Sequence, residues 1–343
     1  MTRAIKVLVV DDSPTMRQIV TRILEDDPDI DVVGSAKSAL QARELIKMLN
    51  PDVMTLDVEM PEMDGLSFLE RVMRLRPMPV VMVSSMTAKG TDTTIEALAL
   101  GAVDCVVKPS PGNPNSFDEL PAKVKVASKV KRRVPVAAAV EQTPRVSENY
   151  QPDGKIVAIG SSTGGVEALI SILTAFPRNC PPTLVTQHMP PVFTRNLAAR
   201  LDKMCAPNVV EATVGAPLVP GTVYIAPGGD LHLEVAGRST FTCALKPGGL
   251  VNGHCPSIDR LFSSMARSLG PRCLGALLTG MGRDGAQGLL DIRDAGGRTF
   301  AQDEQSSIVY GMPKAAVEIG AVEFQYPLVR MGHAIVEATS AKL

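Results

Sequence analysis

The stretch KIVAIGSSTGGV, residues 155–166, ends an apolar run in two serines and a pair of glycines. Three chemistries use a corner of this kind. A phosphate cradle of the G-x-x-x-x-G-K-[ST] type needs a lysine after Gly165, where Val166 stands. A dinucleotide loop of the G-x-G-x-x-G type needs glycine at position 162, which is serine. The run Gly160-Ser161-Ser162-Thr163-Gly164 does satisfy G-x-S-x-G, a turn that holds out a nucleophile between a strand and a helix, and the spacing selects Ser162 over Ser161. Taken alone, a serine that caps the following helix explains the pattern as well.

A serine hydroxyl attacks only with a base beside it. Of the four histidines, His188 ends the apolar run PTLVTQH, so a parallel sheet would bring it to the same edge as Ser162. His232, in DLHLEV, alternates onto a face with Glu234 and reads as a surface strand histidine; His254, in the loop NGHCPSID, is a candidate substrate contact; His333 reads as a helix-start residue. An imidazole base in turn needs an acid to orient it and stabilise its charged form. GALLTGMGRDG runs a buried strand into a glycine-rich corner carrying Asp284, for which a turn or helix cap is the ordinary alternative. Ser, His and Asp at three corners of one sheet edge together favour acyl transfer. Their chain order, Ser…His…Asp, is not the order of the α/β-hydrolases.

A second set of groups lies near the start of the chain. Asp11 and Asp12 follow IKVLVV, Asp57 ends DVMTLD, Ser84 follows VVMV and Lys108 follows DCVV. Each acid alone could cap a turn. Together they place three carboxylates, a hydroxyl and an ammonium at successive strand ends, which suits Mg²⁺ bound by hard oxygens and a phosphoryl group held by the lysine.

These groups must be positioned by repeated strand–helix units, which imply doubly wound parallel sheets. In the first half, Ser13 and Pro14 are placed to open a helix that carries Met16, Ile19, Val20, Ile23 and Leu24 at helical spacing. In the second, KIVAIG, PTLVTQH, TVYIAP and LGALLTG read as strands, VEALISILTAF and IDRLFSSMARSL as helices, and DLHLEV with FTCAL as a β-hairpin extension. The expected organisation is α/β throughout. It comprises a flavodoxin-like domain over 1–123, a linker over 124–153 rich in Pro, Ala and polar residues, and a Rossmann-like domain over 154–343. The helix-patterned PAKVKVASKVKRR closes the first domain, and its KRR run reads as a solvated face.

Charge narrows the classes of function. The net charge is −6 over residues 1–123, +3 over 124–153 and +2 over 154–343, without the concentrated basic surface of a nucleic-acid reader. No apolar run approaches the roughly 20 residues of a membrane span, and MTRAIKVLVVDD turns acidic too early for a signal peptide. The six cysteines have no C-x-x-C pair and read as reduced thiols of a cytoplasmic protein.

Over roughly residues 5–122 the acidic set resembles the response-regulator receiver family. The resemblance implies Asp57 as the phosphoacceptor, Asp11 and Asp12 with Asp57 as the Mg²⁺ acids, and Ser84 and Lys108 as phosphoryl contacts. Receivers often carry an aromatic residue three positions before the lysine; here it is Cys105, so switching by a rotating ring does not carry over. IGSSTGG, TQHMPP and TGMGRDG, with YIAPGG and HCPSID, resemble the chemotaxis protein-glutamate methylesterases. With the receiver and linker, that resemblance covers almost the whole chain. It implies Ser162 as nucleophile, His188 as base, Asp284 as its orienting acid, Met281 at the oxyanion site and Thr163 within the site motif. The implied activity is phosphorylation-controlled hydrolysis of glutamate methyl esters on chemoreceptors, with deamidation of receptor glutamines. A chemotaxis histidine kinase is the implied phosphodonor, and no cofactor is expected for the ester hydrolysis. The rival readings are an esterase or amidase acting on another protein, and a receiver with a scaffolding output, which would not require the three triad residues together.

Overall fold

The computed structural model describes residues 3–60, 64–85, 87–110, 114–130 and 150–341. These form two compact units. In the first, strands β1 (Ile5–Val10), β2 (Ile30–Ala36), β3 (Val53–Asp57), β4 (Val80–Ser84) and β5 (Asp104–Val107) alternate with helices α1 (Pro14–Glu25), α2 (Ala39–Leu49), α3 (Gly65–Leu75), α4 (Ala88–Ala99) and α5 (Leu120–Ser128). The five strands are parallel in the order β2-β1-β3-β4-β5. Strands β3 and β4 are buried along their whole length, which is why they read as mostly apolar runs rather than alternating ones. Ser13 caps α1 as its sequence predicts, accepting from the Met16 amide, with Pro14 at the first helical position.

Helix α5 extends five residues into the expected linker, with Val124 and Ala127 buried. At the other end Tyr150 is buried and its hydroxyl lies 3.1 Å from the Thr339 carbonyl oxygen, so residues 150–153 join the second unit. The rest of the expected linker, including the KRR run, lies outside the described residues.

The second unit begins with β6 (Ile156–Ser161), α6 (Gly165–Leu173), β7 (Thr183–Gln187), α7 (Pro191–Met204), β8 (Asn208–Glu211) and β9 (Thr222–Ile225). Strands β10 (Leu231–Ala236) and β11 (Thr242–Pro247) follow as an antiparallel hairpin, the expected extension. The chain continues through α8 (Ile258–Leu269), β12 (Cys273–Leu277), α9 (Ala286–Asp294), β13 (Arg298–Gln302), α10 (Met312–Glu318), β14 (Phe324–Tyr326) and α11 (Leu328–Ala338). Seven parallel strands form one sheet in the order β14-β13-β12-β6-β7-β9-β8. Helix α8 carries Ile258, Leu261, Phe262, Met265 and Leu269 on one face, all buried against the sheet and α9. Phe262 is fully buried, which removes enough apolar surface from water to contribute roughly 2–3 kcal/mol.

Both sheets wind outward in two directions from a central strand. In the second unit the chain leaves β6 toward β7 and later returns to its other side at β12. That reversal opens a crevice at the carboxyl ends of β6 and β12, where ligands of doubly wound folds bind. In the first unit the equivalent crevice lies between β1 and β3.

Two histidine expectations are corrected. His232 is fully buried, not on a polar surface, because the segment between β11 and α8, with Gly249, Cys255 and Ser257, closes over its ring. His333 lies in the middle of α11, not at a helix start.

Candidate active site

Ser162 follows β6 directly, His188 follows β7, and Asp284 follows the β12 corner, so the three expected residues come from neighbouring strands at one sheet edge. The Ser162 amide donates to the Thr279 carbonyl at 3.0 Å, joining the ends of β6 and β12, and the His188 amide donates to the Ser161 carbonyl at 3.0 Å, joining β6 and β7. Gly164 caps α6 with φ +76°, a conformation a side chain would strain, and supplies the sharp turn after the serine. Gly165 is required by contact: a Cβ there would lie 2.0 Å from Gln187 Oε1.

His188 Nε2 lies 2.8 Å from Asp284 Oδ2, with both side chains buried (6% and 1% exposed). A carboxylate can only accept, so this nitrogen carries the proton and Nδ1 keeps its lone pair. Nδ1 is buried and makes no hydrogen bond among the described residues. It is the nitrogen with a lone pair available, and no hydrogen bond joins it to the Ser162 hydroxyl among the described residues; in sites of this kind such bonds often tighten only when substrate is bound. The ring of His254 stacks on that of His188 at 3.7 Å between centroids.

Asp284 sits at the amino end of α8. Its Oδ1 accepts from Ser257 Oγ at 2.8 Å, the Asp259 amide at 3.2 Å and Asn252 Nδ2 at 3.3 Å, while Oδ2 also accepts from the Ile258 amide at 2.7 Å. Burial alone would raise its pKa, but the hydrogen bond and charge of His188, with the Ile258 and Ser257 donors, outweigh it and hold the carboxyl at about 2. A helix amino terminus adds favourable partial charge at the same place.

Ser161 and Gln187 complete the corner, and neither was singled out from sequence. The Ser161 hydroxyl donates to Gln187 Oε1 at 2.6 Å, and Gln187 Nε2 donates to the carbonyls of Ser162 at 2.9 Å and His188 at 3.1 Å. One buried amide thus ties the backbone of the serine to that of the histidine. A polar pair at the ends of two fully buried strands was the available signal. Thr163 is buried, with its carbonyl accepting from Thr279 Oγ1 at 3.0 Å. Met281 is 50% exposed, and its backbone N–H makes no hydrogen bond among the described residues, leaving a donor free at the rim of the crevice.

In the first unit, Lys108 Nζ lies 2.9 Å from Asp57 and 3.0 Å from Asp11. Oxygens of Asp11, Asp12 and Asp57 all fall within 4.8 Å of one another. Burial drives the Asp57 carboxyl upward, Lys108 pulls it back, Asp11 adds to the rise, and it rests at about 6. Burial opposes the charge of Lys108, but Asp57 and Asp11 more than offset it and raise its pKa. Three acids against one ammonium leave excess negative charge among hard oxygen donors, which fits a divalent cation such as Mg²⁺. Ser84 is buried, with its hydroxyl turned to the carbonyls of Ser85 at 3.1 Å and Gly90 at 3.2 Å. Cys105 is also buried. No described helix is long and apolar enough to cross a membrane.

Comparison with known proteins agrees with both halves. The model of the response regulator receiver domain matches residues 7–117, and that of the CheB methylesterase domain matches residues 157–335. A protein-glutamate methylesterase/protein-glutamine glutaminase of Rhizobium etli is 54% identical over 342 residues, covering 100% of this chain and 99% of that protein. One from Caulobacter vibrioides is 55% identical over 340 residues, covering 98% and 99%. The crystal structure of the Thermotoga maritima CheB methylesterase catalytic domain covers 54% of this chain and 98% of its own, at 38% identity and a TM-score of 0.52. With a triad-like corner in one unit and a receiver-like acidic site in the other, the chain belongs to the CheB methylesterase family and carries that domain behind a response regulator receiver domain.

Proposed function

We propose that this protein hydrolyses glutamate methyl esters on the cytoplasmic domains of chemoreceptors, releasing methanol, and deamidates receptor glutamines at the same site. The names of its relatives support the substrate class. The observation that carries the chemistry is the His188–Asp284 pair beside Ser162, with the carboxylate held ionised and the free ring nitrogen turned away from it. Ser162 Oγ attacks the glutamyl carbonyl carbon as His188 Nδ1 takes its proton. Asp284 holds the ring and stabilises its positive charge. The Met281 N–H is the candidate donor to the oxyanion. The proton then passes to the departing methoxide, or to the departing amide nitrogen of a glutamine, and water resolves the acyl-enzyme in a second round through His188.

Asp57 is the proposed phosphoacceptor. Asp11, Asp12 and Asp57 would hold Mg²⁺, which shields the incoming phosphoryl charge, and Lys108 contacts the phosphoryl oxygens. For Ser84 to join them, its hydroxyl must turn from the carbonyls it now faces. A chemotaxis histidine kinase is the proposed donor, and a cytoplasmic location is proposed with it. The test uses the full chain and methylated receptor cytoplasmic domains. Methanol release should rise with a small phosphodonor and Mg²⁺, lose that rise in Asp57→Asn, and vanish in Ser162→Ala. Near-normal turnover by Ser162→Ala would overturn the hydrolytic mechanism.

A further inference from the structure

Resting on that hydrolytic reading, we infer that His232 is a positioning residue. It anchors the loop over residues 249–257, and through Ser257 and the start of α8 it fixes the carboxylate on which His188 depends. His232 lies on β10 and is fully buried. Its Nδ1 accepts from the Ser257 amide at 3.1 Å, and its Nε2 lies 3.0 Å from the Gly249 carbonyl oxygen. An amide N–H can only donate and a carbonyl can only accept, so the proton is on Nε2 and the tautomer is set by the two partners. The ring therefore spans the loop, gripping it at both ends. Cys255 Sγ, 3.6 Å from Nε2, fills the remaining side.

What this loop carries makes the anchor functional. Among the described residues, the donors to Asp284 other than His188 are the Asn252 amide group and the Ser257 hydroxyl, both from this loop, and the backbone N–H groups of Ile258 and Asp259, which open α8 directly behind it. His254, in the same loop, stacks on the His188 ring. Ser257 is the shared element, because its amide is held by His232 while its hydroxyl holds Asp284. The hairpin is also tied to α8 through the Glu234–Arg260 ion pair and the bond from the Val235 amide to Ser264 Oγ. Arg260 lies in the first turn of α8, where its amide donates to Ser257 Oγ at 3.3 Å, and Ser264 lies one turn further on, so these two hairpin contacts hold the helix rather than residues 249–256. Without the ring of His232, α8 stays in place while Ser257 and the loop lose their fixed register. Misplacement of reacting groups by about 1 Å costs on the order of 10²-fold in rate.

The experiment compares His232→Leu with His232→Gln in the full chain, measuring methanol release from methylated receptor domains. Leucine fills the space and makes neither bond. Glutamine can accept from Ser257 with its oxygen and donate to Gly249 with its nitrogen. We expect His232→Leu to lower kcat about 10²-fold with KM within roughly threefold of the parent, and His232→Gln to recover to within about tenfold. With kcat expressed per folded protein, as judged by circular dichroism of each variant, a merely structural role would lower the folded fraction and leave kcat of that fraction at the parent value. Should the leucine protein fail to fold, His232→Asn, whose amide is too short to span both partners, takes its place. Equal impairment of the glutamine variant and its non-bonding counterpart, or kcat within threefold of the parent in both, would overturn the inference. Ser162→Ala run in parallel separates the cases, since activity surviving there would instead sink the hydrolytic reading.

Discussion

Replacing Asp284 by asparagine tests the site where its electrostatics are strongest. The carboxyl rests at about 2 instead of the usual 3.8, and a displacement of nearly two pH units corresponds to about 2–3 kcal/mol. The folded-state value is depressed, so this stability is fully present above about pH 4 and is lost as pH falls through about 2. Asparagine removes it and does further harm. Oδ2 faces the Ile258 amide and His188 Nε2, while Oδ1 faces Ser257, Asp259 and Asn252, so either orientation of the new amide sets N–H against N–H. If its nitrogen faces the ring, His188 must accept at Nε2 and carry its proton on Nδ1, where it cannot take one from Ser162. Loss of the correct tautomer in a triad of this type costs on the order of 10⁴-fold in kcat. Asp284→Asn should therefore lose at least about 2–3 kcal/mol in denaturant unfolding at neutral pH, and the gap to the parent should narrow by about that much between pH 4 and 2. Methanol release should fall by 10³–10⁴-fold. A gap that persists unchanged to pH 2, or a rate within tenfold of the parent, would refute the reasoning.

Four further outcomes are expected. The Asp57 carboxyl, pushed to about 6 by burial, should titrate near that pH by carbon-13 NMR and move clearly downward when Mg²⁺ is added; an unmoved titration would remove the acids as cation ligands. Because its folded-state value is raised, the cation-free first unit should lose stability as pH rises through about 6, and Mg²⁺ should restore it, as followed by thermal unfolding. Ser161→Ala deletes the 2.6 Å bond to Gln187 and leaves a buried oxygen unpaired, so it should cost about 1–3 kcal/mol of stability and lower kcat more than it raises KM. Gly165→Ala, whose new Cβ meets Gln187 Oε1 at 2.0 Å, should cost about 1–3 kcal/mol and slow hydrolysis by displacing the same amide; full activity would show that the corner yields freely.

Sequence carried the framework of both units because their central strands are buried on both faces and end in chemistry-bearing residues. IKVLVV, DVMTLD and KIVAIG announce themselves by mostly apolar character without strict alternation, and Asp11, Asp57 and Ser162 stand at their ends. The outer strands β8, β13 and β14 did not stand out: NVVE and FQY are short and partly exposed, and RTFAQ mixes polar with apolar residues. His232 was misread for a physical reason. Period-two alternation divides a strand into two faces but does not say which is wet, and in β10 both are covered, with His232 and Leu233 equally buried. The roles of Ser161 and Gln187 depend on side-chain bonds across two strands 26 residues apart, which no local pattern encodes.

The orientation of the His188 ring has a consequence for reactivity. Because Nε2 is committed to Asp284, the nitrogen left for the proposed exchange with Ser162 is Nδ1, the one adjacent to the carbon that bears the side-chain stem. An ester-like halomethyl ketone delivered to Ser162 would alkylate this histidine at Nδ1. Its adduct would be the regioisomer of the one formed in hydrolases whose acid grips Nδ1 and leaves Nε2 to face the serine. The isomer of alkylated histidine recovered from a digest would thus record which edge of the imidazole the fold presents to its substrate.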